Sequence, residues 1–415
     1  MEDFPRHIGG AVREALADTP VVVVQGARQV GKSTLVGKVA AEFDAATWLS
    51  LDDPGTLTVA SDDPAFFVAQ AGDRLMVVDE AQRAPEIVLP LKANVDRDRR
   101  PGRFLLTGSA DLLTVKGAGD SLAGRAETIE LLPLSQGEMA STASAEDFVS
   151  WLLAGAPGHD FTALDVDAVI TGGYPEAVRR SPRRRAAWFD SYVSRLAGHD
   201  ARDLAGGGYA DHMNGLLRLV AAGGQAELVN ARLARGLGIA ETTVASYLRT
   251  AEAMRLVTRL PAWGRSARSR LVRRPKVSLN DSGLSAHLSG LTREKALTVG
   301  GREHFGSLLE QFVTLELRKQ QGWSAERFSL HHFRDHGGLE VDLVVELADG
   351  RIVAVEVKST TSITARSWSG LERFRMEFPD RDITGVVLHG GREVLSPYPW
   401  LHVLPVTALW EHAQG

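Results

Sequence analysis

Cysteine is absent from the chain. Disulfides, thiol nucleophiles and cysteine-based zinc sites are therefore excluded. No apolar run approaches the ~20 residues needed to span a bilayer. The first twenty residues, MEDFPRHIGGAVREALADTP, lack the apolar core of a secretory signal. These absences make the cytoplasm the expected setting, with no membrane partner. Charge of one sign is also scarce: the net is −5 over 415 residues, so the chain as a whole does not attract nucleic acid. Lysine is rare, with eight among 47 basic residues, which makes a lysine inside a motif harder to ascribe to background. What is present is ordinary for a globular chain, 44% hydrophobic and 24% charged. The length predicts about two to four domains.

Residues 21–24 are four consecutive valines, the pattern of a buried parallel strand. Gly26-Ala27-Arg28-Gln29-Val30-Gly31-Lys32-Ser33 follows at once, and residues 34–43 have helical character. Strand, G-x-x-x-x-G-K-S and helix is the context of a P-loop. Gly26 and Gly31 allow a tight turn whose N–H groups face phosphate, and the helix N-terminus adds a favourable dipole. Lys32 is expected to reach the β- and γ-phosphates of ATP, Ser33 to ligate magnesium, and Thr34 to line the site. Arg28 could also touch the nucleotide or a neighbouring subunit.

Residues 46–52 read as a second strand, and residues 74–80, RLMVVDE, as a third with the Walker B pattern. Acids at the C-terminal tip of a buried parallel strand lie where open α/β sheets bind ligands. Asp79 is the expected magnesium orienter, and Glu80 the group that polarises attacking water. A fourth strand, residues 103–109, ends in Thr107 and Ser109. Either could sense the γ-phosphate or hold the water, or both are simple turn residues. Arg125 precedes a fifth strand at residues 126–132. It is a candidate finger, supplied within the chain or across the interface of a homo-oligomer.

GARQVGKSTL, LMVVDEAQRAP, FLLTGSADLL and SLAGRAETIELLPLS together resemble the AAA-type ATPase domain of a large prokaryotic family of ATP-binding proteins with a C-terminal domain of unknown function. Gly172-Gly173-Tyr174-Pro175-Glu176 and Asp281-Ser282-Gly283-Leu284 fit the same family, so the resemblance runs over nearly the whole chain. It implies an AAA-like fold and ATP use, and says little about biological role.

Beyond the ATPase, residues 136–208 read as helical and irregular, a lid or connector broken at Pro157-Gly158 and Gly206-Gly207-Gly208. Short helix, glycine turn and longer helix at residues 230–254 resemble helix-turn-helix geometry. Residues 256–260 and 270–272 are the expected strands of a wing, with residues 263–269 at its tip. Arg265, Arg268, Arg270, Arg273, Arg274 and Lys276 make that wing basic, and residues 179–185 hold a second basic run. The wing arginines could hold DNA phosphates. The longer helix, however, offers few base-reading side chains, so contact with a protein partner is the competing expectation.

In the last quarter, residues 306–320 are amphipathic and carry Glu310. Two apolar strands follow, joined at Asp349-Gly350, a hairpin turn signal. They bear Asp342 and Glu356-Val357-Lys358. A hairpin can set Asp342 beside Glu356, and period-two alternation puts Glu356 and Lys358 on one face. This is the pattern of PD-(D/E)xK nucleases. Glu310, Asp342 and Glu356 would hold magnesium, and Lys358 would position water or stabilise phosphate charge. Glu316 and Glu340 are rivals for the acidic positions. The alternative is an inactive nuclease fold kept as a platform.

The expectation is thus an α/β chain in four parts: an AAA-like P-loop domain (1–135), a helical connector (136–212), a winged helix (213–290) and a PD-(D/E)xK-like α/β domain (300–415). Its expected work is ATP hydrolysis coupled to action on DNA, or a nucleotide-dependent switch that gates a protein.

Overall fold

The computed structural model describes residues 4–109, 122–142, 145–156, 160–196, 209–266, 270 and 273–414. The chain divides into two compact units, residues 1–132 with 253–255, and residues 133–252 with 256–415.

In the first unit five strands form one parallel sheet: β1 (Val21–Gln25), β2 (Ala46–Ser50), β3 (Leu75–Asp79), β4 (Phe104–Gly108) and β5 (Ala126–Glu130). Their order is β2-β3-β4-β1-β5. The inner strands β1, β3 and β4 are buried at every residue, whereas the edge strands β2 and β5 are partly exposed. That contrast follows from sequence, since only the inner three are continuously apolar up to their tips. One face, with Val21, Val23, Met76, Val78, Phe104 and Leu106, packs on Phe67, Ile87, Val88 and Leu91. Helices Gly9–Asp18 and Lys32–Ala40 pack against the sheet as well. Strand β4 lies between β1 and β3, so its tip stands between the glycine-rich loop and the Asp79-Glu80 pair.

The second unit begins with helices that include Gln136–Met139, Phe148–Leu153, Val166–Thr171, Pro182–Arg195 and Tyr209–Ala222. A small antiparallel sheet in the order β6-β8-β7 follows: β6 (Ala226–Glu227), β7 (Val257–Leu260) and β8 (Lys276–Leu279). Helices Asn230–Leu237 and Glu241–Ala253 lie between β6 and β7, and Gly238, with φ 67°, closes the first of them. The hairpin partner of β7 is therefore residues 276–279 rather than residues 270–272. Arg268, Leu271 and Val272 lie outside the described residues, as do Pro157-Gly158 and Gly206-Gly207-Gly208.

A mixed six-stranded sheet ends the unit: β9 (Phe328–Arg334), β10 (Glu340–Leu347), β11 (Ile352–Lys358), β12 (Ile383–His389), β13 (Leu395–Tyr398) and β14 (Leu401–Pro405), in the order β13-β14-β12-β11-β10-β9. Strand alternation divides its apolar residues. Leu343, Val345, Val353 and Val355 share a core with Leu308, Leu309, Phe312 and Val313 of helix Arg302–Gln320. Val344, Ile352 and Ala354 share the other with Leu371 and Phe374 of helix Ser369–Glu377.

The expected wing tip begins buried: Trp263 and Gly264 are inside, Arg265 and Ser266 are exposed, and residues 267–269 lie outside the described residues. Trp263 is fully buried and sits edge-on to Phe333, Phe374 and Phe378, with ring centroids 4.8–6.0 Å away. The Trp263 backbone N–H donates to His332 O at 2.6 Å, and the His332 backbone N–H donates to Pro261 O at 3.0 Å. Burying an indole gains more than a solvated loop would, so this segment is fastened to β9. Among the described residues no helix is long and apolar enough to cross a membrane.

Candidate functional site

The loop after β1 needs its glycines. A Cβ on Gly26 would stand 2.2 Å from Leu131 O, and Gly31 has φ 97°. Ala27 and Val30 are buried, Arg28 and Gln29 exposed. Helix Lys32–Ala40 starts immediately, which places Ser33 and Thr34 in its first turn. Lys32 is buried and its Nζ donates to Gly26 O and Ala27 O, both at 3.1 Å. Burial pulls its ammonium below the ordinary lysine value, while Glu80 and Asp79 oppose that fall.

The tips of β3 and β4 meet this loop. Ser33 Oγ donates to Asp79, 2.9 Å from Oδ1 and 3.0 Å from Oδ2. Thr107 Oγ1 donates to Asp79 Oδ1 and accepts the Glu80 N–H at 3.0 Å. One threonine thus fixes both acids. Glu80 has φ 57°, left-handed for a residue with a side chain, a conformation kept when neighbours over-determine it. Its carboxylate accepts from Gln82 Nε2, which also donates to Ser109 Oγ at 3.1 Å. Lys32, Ser33, Asp79, Glu80, Thr107 and Ser109 are therefore brought together.

Two participants are absent from the sequence-based expectation. Gln82 joins Glu80 to Ser109, and its own Oε1 is buried without a partner. Arg6 donates from Nη1 to Val30 O at 2.7 Å and from Nη2 to Leu132 O at 2.6 Å, tying the glycine-rich loop to the chain beyond β5. The spacing of Gln82 from Glu80 could have raised it, but nothing local singles out Arg6.

Arg125 is not brought to this cluster. β1 and β5 run parallel with Val21 opposite Ala126 and Gln25 opposite Glu130. The glycine-rich loop follows Gln25, whereas Val21 N–H donates to Arg125 O at the other end of the strands. Arg125 instead forms a two-pronged ion pair with Asp96, at 2.8 and 3.0 Å. A finger supplied within the chain is corrected by strand direction.

In the second unit a group of charged residues collects where β10 and β11 pair. The register Leu343 opposite Val355, carried one step on, sets Asp342 opposite Glu356. An irregularity in the β9–β10 pairing falls at Val341–Val344, around Asp342. Asp342 Oδ2 accepts the Val357 N–H at 2.8 Å, and Lys358 Nζ is hydrogen-bonded to Glu356. Burial, then the nearby Asp342 charge, pushes Glu310 up to about 8 and Glu356 up to about 7. Burial likewise raises Asp342, against the pull of the Val357 N–H, Lys276 and Lys358. Against the burial that lowers it, Glu356 holds the Lys358 ammonium above its ordinary value.

Carboxylates of this kind suit a hard divalent cation. Yet among the described residues no three acidic or histidine side chains stand together as ligands for one ion. Glu310, Asp342 and Glu356 feel one another's charge but each turns to its own partner, which corrects the expectation of a ready ligand set. The partner of Glu310 is Lys276, at 3.9 Å, which also lies 3.2 Å from Glu340. Glu316, the rival on the same helix, is fully buried and accepts from Gln136 N–H and Lys319. It fastens the helices to one another.

Several of the basic residues are occupied too. Arg265 lies 4.8 Å from the Phe378 ring centroid and donates to Glu377 O. Arg270 pairs with Glu346 at 2.7 Å. Arg273 lies over Phe333 and donates to Trp263 O and Arg334 O. Arg270 is thus neutralised by an acid, whereas Arg265 and Arg273 are held in place by carbonyl oxygens and rings and keep their charge. In the other run, Arg180 pairs with Glu176 and Arg185 donates to Ala177 O and Thr171 Oγ1, with Arg183 and Arg184 left exposed. The two remaining family segments meet one another: Asp281 accepts from Gly173 N–H and Leu284 N–H, both at 2.7 Å.

Three family models match the chain: an AAA domain over residues 18–140, the domain of unknown function DUF8612 over 165–295, and the domain of unknown function DUF4143 over 305–409. The chain is 32% identical over 365 residues to the uncharacterized protein Rv2008c of Mycobacterium tuberculosis, covering 86% of this chain and 74% of that protein. The same figures hold for the uncharacterized protein Mb2031c of Mycobacterium bovis. Among solved structures, the Walker-type ATPase PABY2304 of Pyrococcus abyssi overlaps 69% of this chain and 96% of its own, with 16% identity and a TM-score of 0.43. That overlap is too loose to place individual residues.

Proposed function

Because the chain belongs to the prokaryotic family that joins an AAA domain to C-terminal domains of unknown function, we propose that it is a magnesium-dependent ATPase. One observation carries this reading: Lys32, Ser33, Asp79, Glu80 and Thr107 are gathered around a loop that only glycine can build at residue 26. The loop N–H groups and Lys32 would hold the ATP phosphates. Ser33 and Asp79 would hold magnesium, which when bound neutralises charge on the phosphate oxygens. Glu80 would orient the attacking water and take its proton, with Gln82 and Ser109 fixing the carboxylate. Arg125 would act only from a second subunit of a homo-oligomer. The test is phosphate release from ATP by the wild type and by Lys32→Ala. Near-complete loss in the variant is expected, and equal turnover in both would reject the assignment.

For the second unit the pairing of Asp342 with Glu356, beside Glu310 and Lys358, favours a nuclease-like fold of the PD-(D/E)xK pattern preceded by a winged helix. In that reading Lys358 would face a DNA phosphate, while Glu310, Asp342 and Glu356 lie near that lysine and, among the described residues, do not form one ligand set. The ion pair of Arg270 with Glu346 removes one wing cation from phosphate and leaves room for the other reading, a module that gates a protein partner.

A further inference from the structure

Strand β1 reads Val-Val-Val-Val-Gln, so its last residue before the glycine-rich loop is polar. Gln25 is 1% exposed. A buried amide needs a partner, and Gln25 Oε1 accepts from Arg255 Nη2 at 2.7 Å. Arg255 Nη1 also lies 3.5 Å from Glu130 Oε1. Glu130 is the register partner of Gln25 at the tip of β5. One guanidinium thus spans the ends of two neighbouring strands, and the glutamine it holds lies 230 residues away in sequence.

Arg255 stands at a corner where local structure favours glycine. Helix Glu241–Ala253 ends just before it, and the Leu256 N–H returns to Ala251 O at 2.9 Å. That closure puts Arg255 at the left-handed position of a helix end, and its φ is 57°. Glycine takes such a conformation freely, whereas a residue with a side chain is held there by its surroundings. Residues 253–255 belong to the first unit, while the residues on either side of them belong to the second.

The glycine-rich loop starts at the Gln25 peptide. Gln25 O accepts the Leu131 N–H at 2.6 Å, and the Gly26 N–H donates to Gly108 O at 3.3 Å. Gly26 O in turn accepts from Lys32 Nζ at 3.1 Å. The side chain that Arg255 grips is therefore one residue from a carbonyl that holds Lys32.

We propose that Arg255 is a positioning residue of the ATP site. By tying Gln25 to Glu130 it fixes the entry to the glycine-rich loop, and so sets how tightly that loop binds ATP. It acts through Gln25 rather than on the phosphates. This inference rests on the ATPase reading of the first unit, and the experiment separates the two.

The full chain is titrated with ATP and magnesium by calorimetry, and phosphate release is measured alongside. Arg255→Gly removes the guanidinium while giving the corner the residue that its φ favours. It should stay folded by circular dichroism, and its Kd for ATP should rise about tenfold, as losing one hydrogen bond to a charged group would cause. KM should rise more than kcat falls. Arg255→Lys, whose single nitrogen replaces a two-pronged grip, should fall severalfold short of wild type and above Arg255→Gly in affinity. Gln25→Leu should match Arg255→Gly, and the double variant should be no weaker than either alone. If folded Arg255→Gly binds ATP as wild type does, whether or not hydrolysis slows, the inference is refuted while the ATPase reading stands. If the wild type binds no ATP at millimolar concentration, the ATPase reading fails and the inference with it. Should neither Arg255→Gly nor Gln25→Leu fold, wild-type affinity in Arg255→Lys refutes the positioning role.

Discussion

Thr107 shows how a residue with a bland sequence reading acquires a part. In the sequence it is one of two hydroxyls at a strand end. In the fold it accepts from the Glu80 backbone and donates to Asp79, because β4 lies between β1 and β3. Lys32, Ser33, Asp79 and Glu80 were legible, since their signal is local spacing. Arg6 and Gln82 were not, because Arg6 acts through carbonyls 24 and 126 residues away and Gln82 through a network that exists only once Ser109 is adjacent. His332 supports a prediction at this scale. Burial first, and the Lys276 charge next, lower its pKa from 6.5 to about 4. The folded chain therefore keeps it neutral, while the unfolded chain protonates near 6.5. Its contribution is present above pH 6.5 and is lost as pH falls towards 4, by about 3 kcal/mol at most. Urea midpoints measured from pH 7 to 4 should fall less steeply in His332→Gln than in wild type.

Among the elements, the parallel strands of the first unit were readable because each inner strand is continuously apolar and ends in a chemically marked tip. The β10–β11 hairpin was readable from alternation and the Asp349-Gly350 turn. The wing was only partly readable: the partner of β7 is β8 at Lys276–Leu279, a run not read as a strand in the sequence, while Leu271 and Val272 lie outside the described residues. The burial of Trp263 against aromatic residues more than 60 positions later is likewise beyond local pattern. Its role is measurable. Trp263→Ala removes a fully buried indole from the Phe333–Phe374–Phe378 cluster and should cost about 3–5 kcal/mol in urea unfolding followed by circular dichroism. A cost below about 1 kcal/mol would mean the tip is not held as described.

For the whole molecule, likeness to relatives covers most of the chain while the relatives themselves are uncharacterized. Family membership thus supports nucleotide binding through the AAA domain and leaves the task of the second unit to chemistry. That chemistry is charge placed in a poor solvent: acids whose pKa burial raises, with Lys276 and Lys358 beside them. The central claim remains that the first unit hydrolyses ATP with Glu80 as the water-orienting group. It is tested most directly by phosphate release at saturating magnesium and ATP for wild type and Glu80→Gln. The account predicts a turnover at least ~100-fold lower in the variant, and turnover within a few fold of wild type would contradict it.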